Sequence, residues 1–277
     1  MTIEITAVQK IQEVSALLSI PDSRILAGGT GIDKNTEEPL HLVDISALEG
    51  LDSIKQKGSR VEIGPLCTLQ TLADSVLVKT HFPALAEAVN TIADPEVRSR
   101  ATLGGSIASP HISDISAALL ASGVKLTIKT DSDYRELLID RFWNQTGAND
   151  LQYDEWITRI SMQIPKETKC GAAFGKYGVW NHPTEPNAAA AVQLSLDAAG
   201  KITAIRGGMR IGTTQIRRMF PLEKALKNRK PEADVINTAV RSMVSASQNF
   251  MDEDSLSALL TDMLHRALIC AEERRTL

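Results

Sequence analysis

The chain has 277 residues, of which 43% are hydrophobic and 23% charged, with a formal net charge of −4; this excludes a disordered chain and suits two domains or one large domain with an appendage. Its Lys and Arg residues are scattered, so no segment offers a basic surface for nucleic acid or an anionic membrane. No apolar run approaches the roughly 20 residues of a spanning helix and the first residues lack a signal-peptide pattern, so we expect no membrane span and a cytoplasmic location.

The first fifth of the chain predicts a small α/β unit. Apolar residues recur at helical spacing over Ala7–Leu18, and short strands are expected at Arg24–Ala27 and His41–Ile45. A hairpin-like pair follows, running from Leu51 to Gln56 and from Arg60 to Gly64.

The middle of the chain predicts a second α/β unit with more helix. Its expected elements are, in order, a helix capped by Thr68, a helix opened by Phe82–Pro83, a β-prone run at Val97–Ala101, an extended segment at Ile107–Pro110, a helix capped by Ser113 or Asp114 and closed by Gly123, and strands at Lys125–Lys129 and Trp156–Ile164.

The last third predicts an antiparallel sheet followed by helices. Three strands are expected at Ala172–Tyr177, Ala188–Leu196 and Ile202–Ile211, the last two joined by a turn. Helices are then expected at Pro221–Asn228, Ala233–Ala246 and Asp254–Glu273.

Two diglycine segments about seventy-five residues apart are the most informative feature of the sequence. The first, Ile25–Gly31, and the second, Thr102–Ser106, each follow an apolar or β-prone run. Glycines leave successive backbone N–H groups unobstructed, an arrangement that binds phosphate. Two such segments indicate a cofactor with a diphosphate group.

Other motif interpretations fit less well. A Rossmann fingerprint starting at Gly29 would require glycine at position 34, which is Lys34. The segment Gly171–Lys176 has too few residues between its glycines for a P-loop, and Tyr177 stands where Ser or Thr would bind magnesium. Ser109, His111 and Asp114 lack the nucleophile elbow of a hydrolase.

The cysteines and histidines show no metal-binding pattern. Cys67, Cys170 and Cys270 lie about a hundred residues apart, without a C-x-x-C pair or neighbouring histidines. This dispersed set indicates reduced thiols rather than a disulfide framework, a zinc site or an iron–sulfur cluster. Any redox chemistry of this chain would therefore use an organic cofactor.

The residues around both diglycines resemble one known family. Arg100-x-Thr-Leu-Gly-Gly-Ser-Ile, followed by a Ser-Asp at Ser113–Asp114, is similar to the second flavin loop of the FAD-binding medium subunit of molybdenum hydroxylases, the xanthine dehydrogenase and carbon monoxide dehydrogenase family. The segments Ala27–Thr30, Ile63–Thr68 and Ala173–Lys176 resemble that family's first loop, linking segment and lysine segment. The resemblance extends through the final helices.

The resemblance implies an α+β protein with the two-subdomain FAD-binding fold of the vanillyl-alcohol oxidase (PCMH) type and a C-terminal domain of antiparallel sheet plus helices. The implied domains are residues 1–56, 57–168 and 169–277, the last with a three-stranded sheet. Asp114 would accept hydrogen bonds from FAD, and Lys176 would lie near the flavin ring. The implied cofactor-binding residues are Ile25, Leu26, Ala27, Gly28, Gly29, Thr30, Gly31, Thr102, Leu103, Gly104, Gly105, Ser106, Asp114 and Lys176.

The resemblance also implies partners, since the chain has neither a molybdopterin-sized domain nor cluster cysteines. It would be the electron-exit subunit beside a molybdopterin-binding large subunit and a [2Fe-2S] small subunit in a doubled heterotrimer, with NAD or another molecule as acceptor. No side chain is then expected to act as an acid or base.

Two other functions stay open at this stage. One is a non-catalytic assembly protein that kept the fold and lost flavin, and the other is a self-contained flavin oxidase, against which the 4% aromatic content argues. The first is motivated by departures from the family pattern. Gly31 stands where an acidic or hydroxyl residue is usual, the segment from Ile32 to Leu42 is short, Ser106 replaces a common asparagine, and Trp180 a frequent arginine.

Overall fold

A computed structural model of the chain describes residues 3–32, 40–109, 113–144, 147–167, 169–178, 187–212, 215–247 and 252–273. Within these ranges the chain forms three sheets with helices packed against them, which confirms the α+β class. None of the helices in these ranges is long and apolar enough to cross a membrane.

The N-terminal sheet has three parallel strands in the order β1–β3–β2. The strands are β1 Ile3–Ala7, β2 Ser23–Leu26 and β3 Leu40–Asp44, and helix α1, Glu13–Leu18, lies between β1 and β2 in sequence. The helix predicted over Ala7–Leu18 is therefore wrong in its first half. Residues 3–7 pair with β3, a partner far along the chain that local periodicity does not reveal.

The second sheet is antiparallel, in the order β4–β5–β8–β6–β7. Its strands are β4 Ile54–Lys57, β5 Arg60–Ile63, β6 Lys125–Lys129, β7 Tyr134–Leu138 and β8 Trp156–Gln163. The predicted hairpin is confirmed, and β7 is an edge strand that the sequence analysis did not predict. A domain boundary between residues 56 and 57 would cut β4, so the topology favours a division before Ile54.

Six short helices lie between β5 and β6 in sequence, and five of them contribute buried residues to the largest apolar core. They are α2 Leu69–Asp74, α3 Val76–His81, α4 Pro83–Asn90, α5 Pro95–Arg100, α6 Leu103–Ala108 and α7 Ile115–Ala121. The predicted cap is confirmed, because the Thr68 hydroxyl accepts a hydrogen bond from the N–H of Thr71 at 3.1 Å. Gly123 follows α7 with φ +63°, as expected of a residue that ends a helix.

The segment around the second diglycine is helical, which corrects three expectations. Residues 97–100 belong to α5, whose cap Asp94 accepts from the N–H of Val97 at 2.8 Å, with Pro95 in the first turn. The diglycine itself lies inside α6 rather than in an open loop. Ile107 and Ala108, expected to be extended, end that helix, and Pro110 lies outside the described residues.

The C-terminal sheet is antiparallel and has four strands, in the order β12–β11–β10–β9, rather than the three predicted. They are β9 Cys170–Tyr177, β10 Ala188–Leu196, β11 Ile202–Ile211 and β12 Gln215–Arg218, followed by helices α8 Phe220–Leu226, α9 Ala233–Ser245 and α10 Glu253–Glu273. The short β12 carries two arginines in four residues, a pattern that does not stand out as a strand. Its pairing with β11 decides its conformation.

Ionic contacts hold the C-terminal sheet against the second unit. Asp140 accepts from Arg206 at 2.9 Å and from Arg218 at 3.2 Å, and Arg206 also donates to the carbonyl oxygen of Leu120 at the end of α7. Because these groups are largely buried, loss of one partner would leave a charge without compensation. The contacts therefore fix β11 relative to α7.

Candidate FAD site

The first diglycine segment follows β2 at the carboxyl edge of the parallel N-terminal sheet. The segment that follows β3 reaches the same edge, because β2 and β3 run in the same direction. Ligands of parallel sheets bind characteristically beyond the carboxyl ends of the strands. In this chain a cleft of about 530 Å³ opens at that position.

The cleft lies between the two predicted FAD-binding units. The N-terminal unit contributes Ala27, Gly28 and most of residues 46–52, and the second unit contributes Leu66, Thr68, Arg100 and Thr102. Its apolar lining comes from alanine and leucine side chains, and its polar groups include the carboxylates of Glu49 and Asp52. The structure thus brings parts of both diglycine segments to one cavity.

The first segment presents unbonded backbone donors. Leu26 closes the ladder, its carbonyl oxygen accepting from the N–H of Ile45 at 3.1 Å. Beyond it, the N–H groups of residues 27–31 donate no hydrogen bond to the described part of the chain. Gly29 has φ +71°, in the left-handed region that favours glycine. These donors are available to an anionic ligand.

Gly28 joins the first segment to the second unit by direct backbone contact. A Cβ at this position would lie 1.9 Å from the carbonyl oxygen of Arg100, closer than any side chain permits. Only glycine therefore allows the first segment to approach the end of α5, and this approach closes one side of the cleft.

The backbone N–H groups of the second segment donate hydrogen bonds to other groups of the protein. Leu103 donates to the carbonyl oxygen of Cys67 at 2.8 Å and Gly104 to that of Pro65 at 2.9 Å. Gly105 donates to the Thr102 hydroxyl at 3.1 Å, and Ser106 to the Thr102 carbonyl at 2.9 Å. The expected row of open N–H groups is therefore absent from residues 103–106.

What this segment offers a ligand is the hydroxyl of Thr102. Thr102 lines the cleft, and its hydroxyl oxygen accepts from Gly105, which leaves the hydroxyl hydrogen free to donate a hydrogen bond of its own. Gly105 is exposed, whereas Leu103 is fully buried in the core and Gly104 lies against Pro65.

Asp114 and Lys176 form an ion pair with each other, and neither lines the cleft. The Asp114 carboxylate contacts Lys176 Nζ at 2.5 Å and accepts a hydrogen bond from Arg210 through its other oxygen. Asp114 begins α7 without capping it by its side chain. Arg210 is buried and also donates to Asn187 at 2.6 Å. Two cations thus share one carboxylate.

The predicted residues fall into three groups. Ala27, Gly28 and Thr102 line the cleft; Asp114 and Lys176 form the ionic cluster; Ile25, Leu26, Gly29, Thr30, Gly31, Leu103, Gly104, Gly105 and Ser106 adjoin the cleft residues in sequence without lining it. His111 and Trp180 lie outside the described residues.

Sequence reasoning missed Arg210 and the 46–52 segment. Arg210 is a lone charge between Met209 and Ile211 in a strand that is otherwise apolar at that end, which was a usable signal of a buried ion pair. The 46–52 segment follows a parallel strand, and the carboxyl-edge rule would have located it. Within the described ranges, no three His, Cys, Asp or Glu side chains form a group able to hold a metal ion.

The sequence of residues 1–167 matches the family of the FAD binding domain in molybdopterin dehydrogenase, and the chain belongs to this family. FAD is the cofactor named for the domain of this family. It is 33% identical over 164 residues to the carbon monoxide dehydrogenase medium chain of Hydrogenophaga pseudoflava, a match that covers 57% of each protein. It is 30% identical over 173 residues to the xanthine dehydrogenase FAD-binding subunit of Escherichia coli O157:H7, covering 60% of this chain and 59% of that subunit. The chain thus spans less than two thirds of the length of these relatives in sequence.

Solved structures extend the similarity beyond the matched sequence. A chain of the carbon monoxide dehydrogenase from Hydrogenophaga pseudoflava superimposes with a TM-score of 0.83 at 26% identity, covering 98% of both chains. A chain of quinoline 2-oxidoreductase from Pseudomonas putida 86 has a TM-score of 0.81 at 21% identity and covers 100% of this chain and 99% of that chain. The predicted two-subdomain FAD-binding fold with its C-terminal sheet domain is confirmed.

The residues of the cleft fit a diphosphate-containing cofactor. The first segment supplies N–H groups that have no acceptor in the described part of the chain, its glycines remove side-chain obstruction, and Thr102 of the second unit adds a hydroxyl group. Backbone N–H groups in such a concave arrangement bind phosphate oxygens.

Proposed function

We propose that this chain is the FAD-binding electron-transfer subunit of a molybdenum-containing hydroxylase or dehydrogenase, passing electrons from iron–sulfur clusters through FAD to NAD or another acceptor. The observation that carries the proposal is the cleft between the two units, lined by Ala27 and Gly28 of a segment, residues 27–31, whose N–H groups have no acceptor in the described chain. Bound there, FAD would supply the redox chemistry. The protein side chains would bind, orient and shield it.

The proposed binding residues divide by role. The backbone of Ile25–Gly31 and the Thr102 hydroxyl would hold the diphosphate and neighbouring chain. Gly105 and Ser106 would leave room for close approach. Leu103 and Gly104 would support this surface from inside the core, since both are buried.

The ionic cluster would set the charge near the flavin ring. Asp114 holds Lys176 in position through one carboxylate contact, and Arg210 orients Asp114 through the other. The three side chains carry a formal charge of +1, which favours the negative charge of a reduced flavin. Lys176 would therefore raise the reduction potential, with Arg210 acting on it through Asp114.

The proposed partners are a molybdopterin-binding large subunit and a [2Fe-2S] small subunit, in a doubled heterotrimer located in the cytoplasm. The relatives support such an arrangement, because one is a medium chain and another an FAD-binding subunit. The described chain offers no metal cluster of its own.

The direct test is to purify the full chain and measure its visible flavin absorbance. We expect one FAD per chain, retained on gel filtration or restored by incubation with FAD. A colourless protein that cannot be reconstituted would contradict the proposal and favour the assembly protein without flavin. Purification through a tag on this chain from its native host should also yield a complex that contains molybdenum and iron.

The role of Lys176 is tested by the flavin reduction potential. Lys176→Met should retain FAD and lower the potential by tens of millivolts, because a cation near the ring is lost. Lys125→Met is the matched control, since Lys125 forms an exposed ion pair with Glu136 at 2.6 Å in the second sheet. If the flavin reduction potential is the same in both variants, the ion pair of Lys176 with Asp114 has only a structural role.

A further inference from the structure

We propose that Arg100 is a diphosphate-binding residue of this site, with its guanidinium supplying the positive charge that the backbone donors lack. This inference rests on the proposed function, because it assigns a contact to the cofactor that the cleft would hold. It adds a side chain that neither the diglycine pattern nor the lysine segment identifies.

The backbone of Arg100 is fixed beside the first diglycine segment. Its carbonyl oxygen lies 1.9 Å from the position that a Cβ on Gly28 would take, so the two backbones are in direct contact. Its guanidinium Nη2 lies 3.8 Å from the corresponding Cβ position on Gly29. The side chain therefore reaches across the segment whose N–H groups have no acceptor.

The guanidinium has no partner within the described ranges. Arg100 is exposed, and its side chain makes no ion pair or hydrogen bond with the described residues. The neighbouring Arg98 differs, since it donates to Gln70 and to the carbonyl oxygens of Ile92 and Ala93. Arg98 thus stabilises the turn before α5. The guanidinium N–H groups of Arg100, by contrast, can donate hydrogen bonds to a ligand.

The charge of a diphosphate requires more than the backbone provides. The second segment cannot contribute N–H groups, because Leu103, Gly104 and Gly105 donate within the protein. The first segment, Ile25–Gly31, has no charged side chain. Among the described residues that line the cleft, Arg100 is the one cation, and a guanidinium can bind two phosphate oxygens at once.

The acidic side chains of the cleft orient the rest of the ligand. Glu49 and Asp52 are exposed and line the cleft on the 46–52 segment. Carboxylates repel phosphate but accept hydrogen bonds from ribose hydroxyls, as in dinucleotide-binding folds. The arrangement favours a nucleoside diphosphate with its phosphates at Arg100 and its sugar toward residues 49–52.

The test compares ligands with and without phosphate on the full chain stripped of flavin. FAD, ADP and riboflavin are titrated against wild type, Arg100→Gln and Arg100→Lys. The expected result for Arg100→Gln is a loss of FAD and ADP affinity of about tenfold to a hundredfold, the size of a charge-assisted hydrogen bond. Riboflavin binding should be unchanged, and Arg100→Lys should recover part of the loss.

Arg241→Gln serves as the matched control, because Arg241 is an exposed arginine on α9 outside the cleft. It should bind all three ligands as wild type does, and thermal unfolding of each variant checks that folding is intact. Rising salt should weaken FAD binding less in Arg100→Gln than in wild type.

The outcomes separate this inference from the proposed function. Wild-type affinity for FAD and ADP in Arg100→Gln would overturn the role of Arg100 and leave the function standing. An equal loss for riboflavin would overturn the phosphate contact. If wild type binds ADP through Arg100 yet retains no flavin, the proposed function fails and the nucleoside diphosphate site stands. If wild type binds neither FAD nor ADP, both fail.

Discussion

The two diglycine segments have similar sequences and opposite structures. The first follows a parallel strand and leaves the N–H groups of residues 27–31 without acceptors in the described chain. The second lies inside α6, and its N–H groups bond to Pro65, Cys67 and Thr102. A diglycine motif therefore does not by itself define a phosphate site, because the surrounding chain decides which donors remain available.

The glycines also differ in what they make room for. Gly28 and Gly104 accommodate other parts of the protein, whereas Gly31 and Gly105 are exposed. Each segment therefore contains one glycine that is required for packing and one that faces solvent. Substitutions at these four positions test whether the difference between the segments is real.

The largest effect is expected for Gly28→Val. The new side chain would meet the carbonyl oxygen of Arg100, so the first segment must separate from α5. We expect the free energy of unfolding to fall by about 3 kcal/mol and bound FAD to be lost, as measured by urea denaturation and flavin absorbance.

Gly31→Val is the matched control for that change. No heavy atom of the described residues lies within 4 Å of its Cβ position, and the glycine is exposed. Stability should stay within about 0.5 kcal/mol of wild type. Equal destabilisation by both substitutions would show that the close approach of Gly28 to Arg100 is not present in solution.

Gly104→Ala should have the next largest effect. Its Cβ would lie 2.6 Å from the Cβ of Pro65 and 2.9 Å from the carbonyl oxygen of Pro65, so α6 must shift. A loss of about 2 kcal/mol is expected in the same denaturation assay. Gly105→Ala meets only the Thr102 hydroxyl at 3.0 Å and gains helix propensity, so it should change stability by less than about 1 kcal/mol.

Thr102→Val should cost about 1 kcal/mol, the usual effect of losing a helix cap. It should also weaken FAD binding, because the hydroxyl of a residue that lines the cleft is removed. Ser75→Ala removes the cap of α3, outside the cleft, and so provides a control for stability alone. If the two variants bind FAD equally well, Thr102 acts only as a cap.

The smallest effect concerns the pH dependence of the second segment's anchor. Burial raises the pKa of the Cys67 thiol from 9.0 to about 11, and the Cys67 carbonyl oxygen holds the N–H of Leu103. The unfolded chain releases this proton at lower pH than the folded chain. Stability should therefore fall as pH rises from about 9 towards 11, and this part of the slope should vanish in Cys67→Ala.

Much of the fold could be predicted from local sequence. The Thr68 cap, the helix end at Gly123 and the hairpin of β4 and β5 follow from residue preferences that act within a few positions. The family could also be identified, because the residues from Arg100 to Asp114 form a specific motif. The order of strands and the fourth strand of the C-terminal sheet depended on distant pairing and were not predicted.

By itself, the sequence determined the α+β class, the family and its cofactor, and it predicted two segments as cofactor-binding. The tertiary structure decided which of their groups can bind a ligand. Residues 27–31 lie beyond the end of a strand, and their N–H groups have no partner among the described residues, while residues 103–106 satisfy theirs within the fold. Each backbone N–H donates one hydrogen bond, and whether that bond is already made depends on contacts between parts of the chain that are distant in sequence.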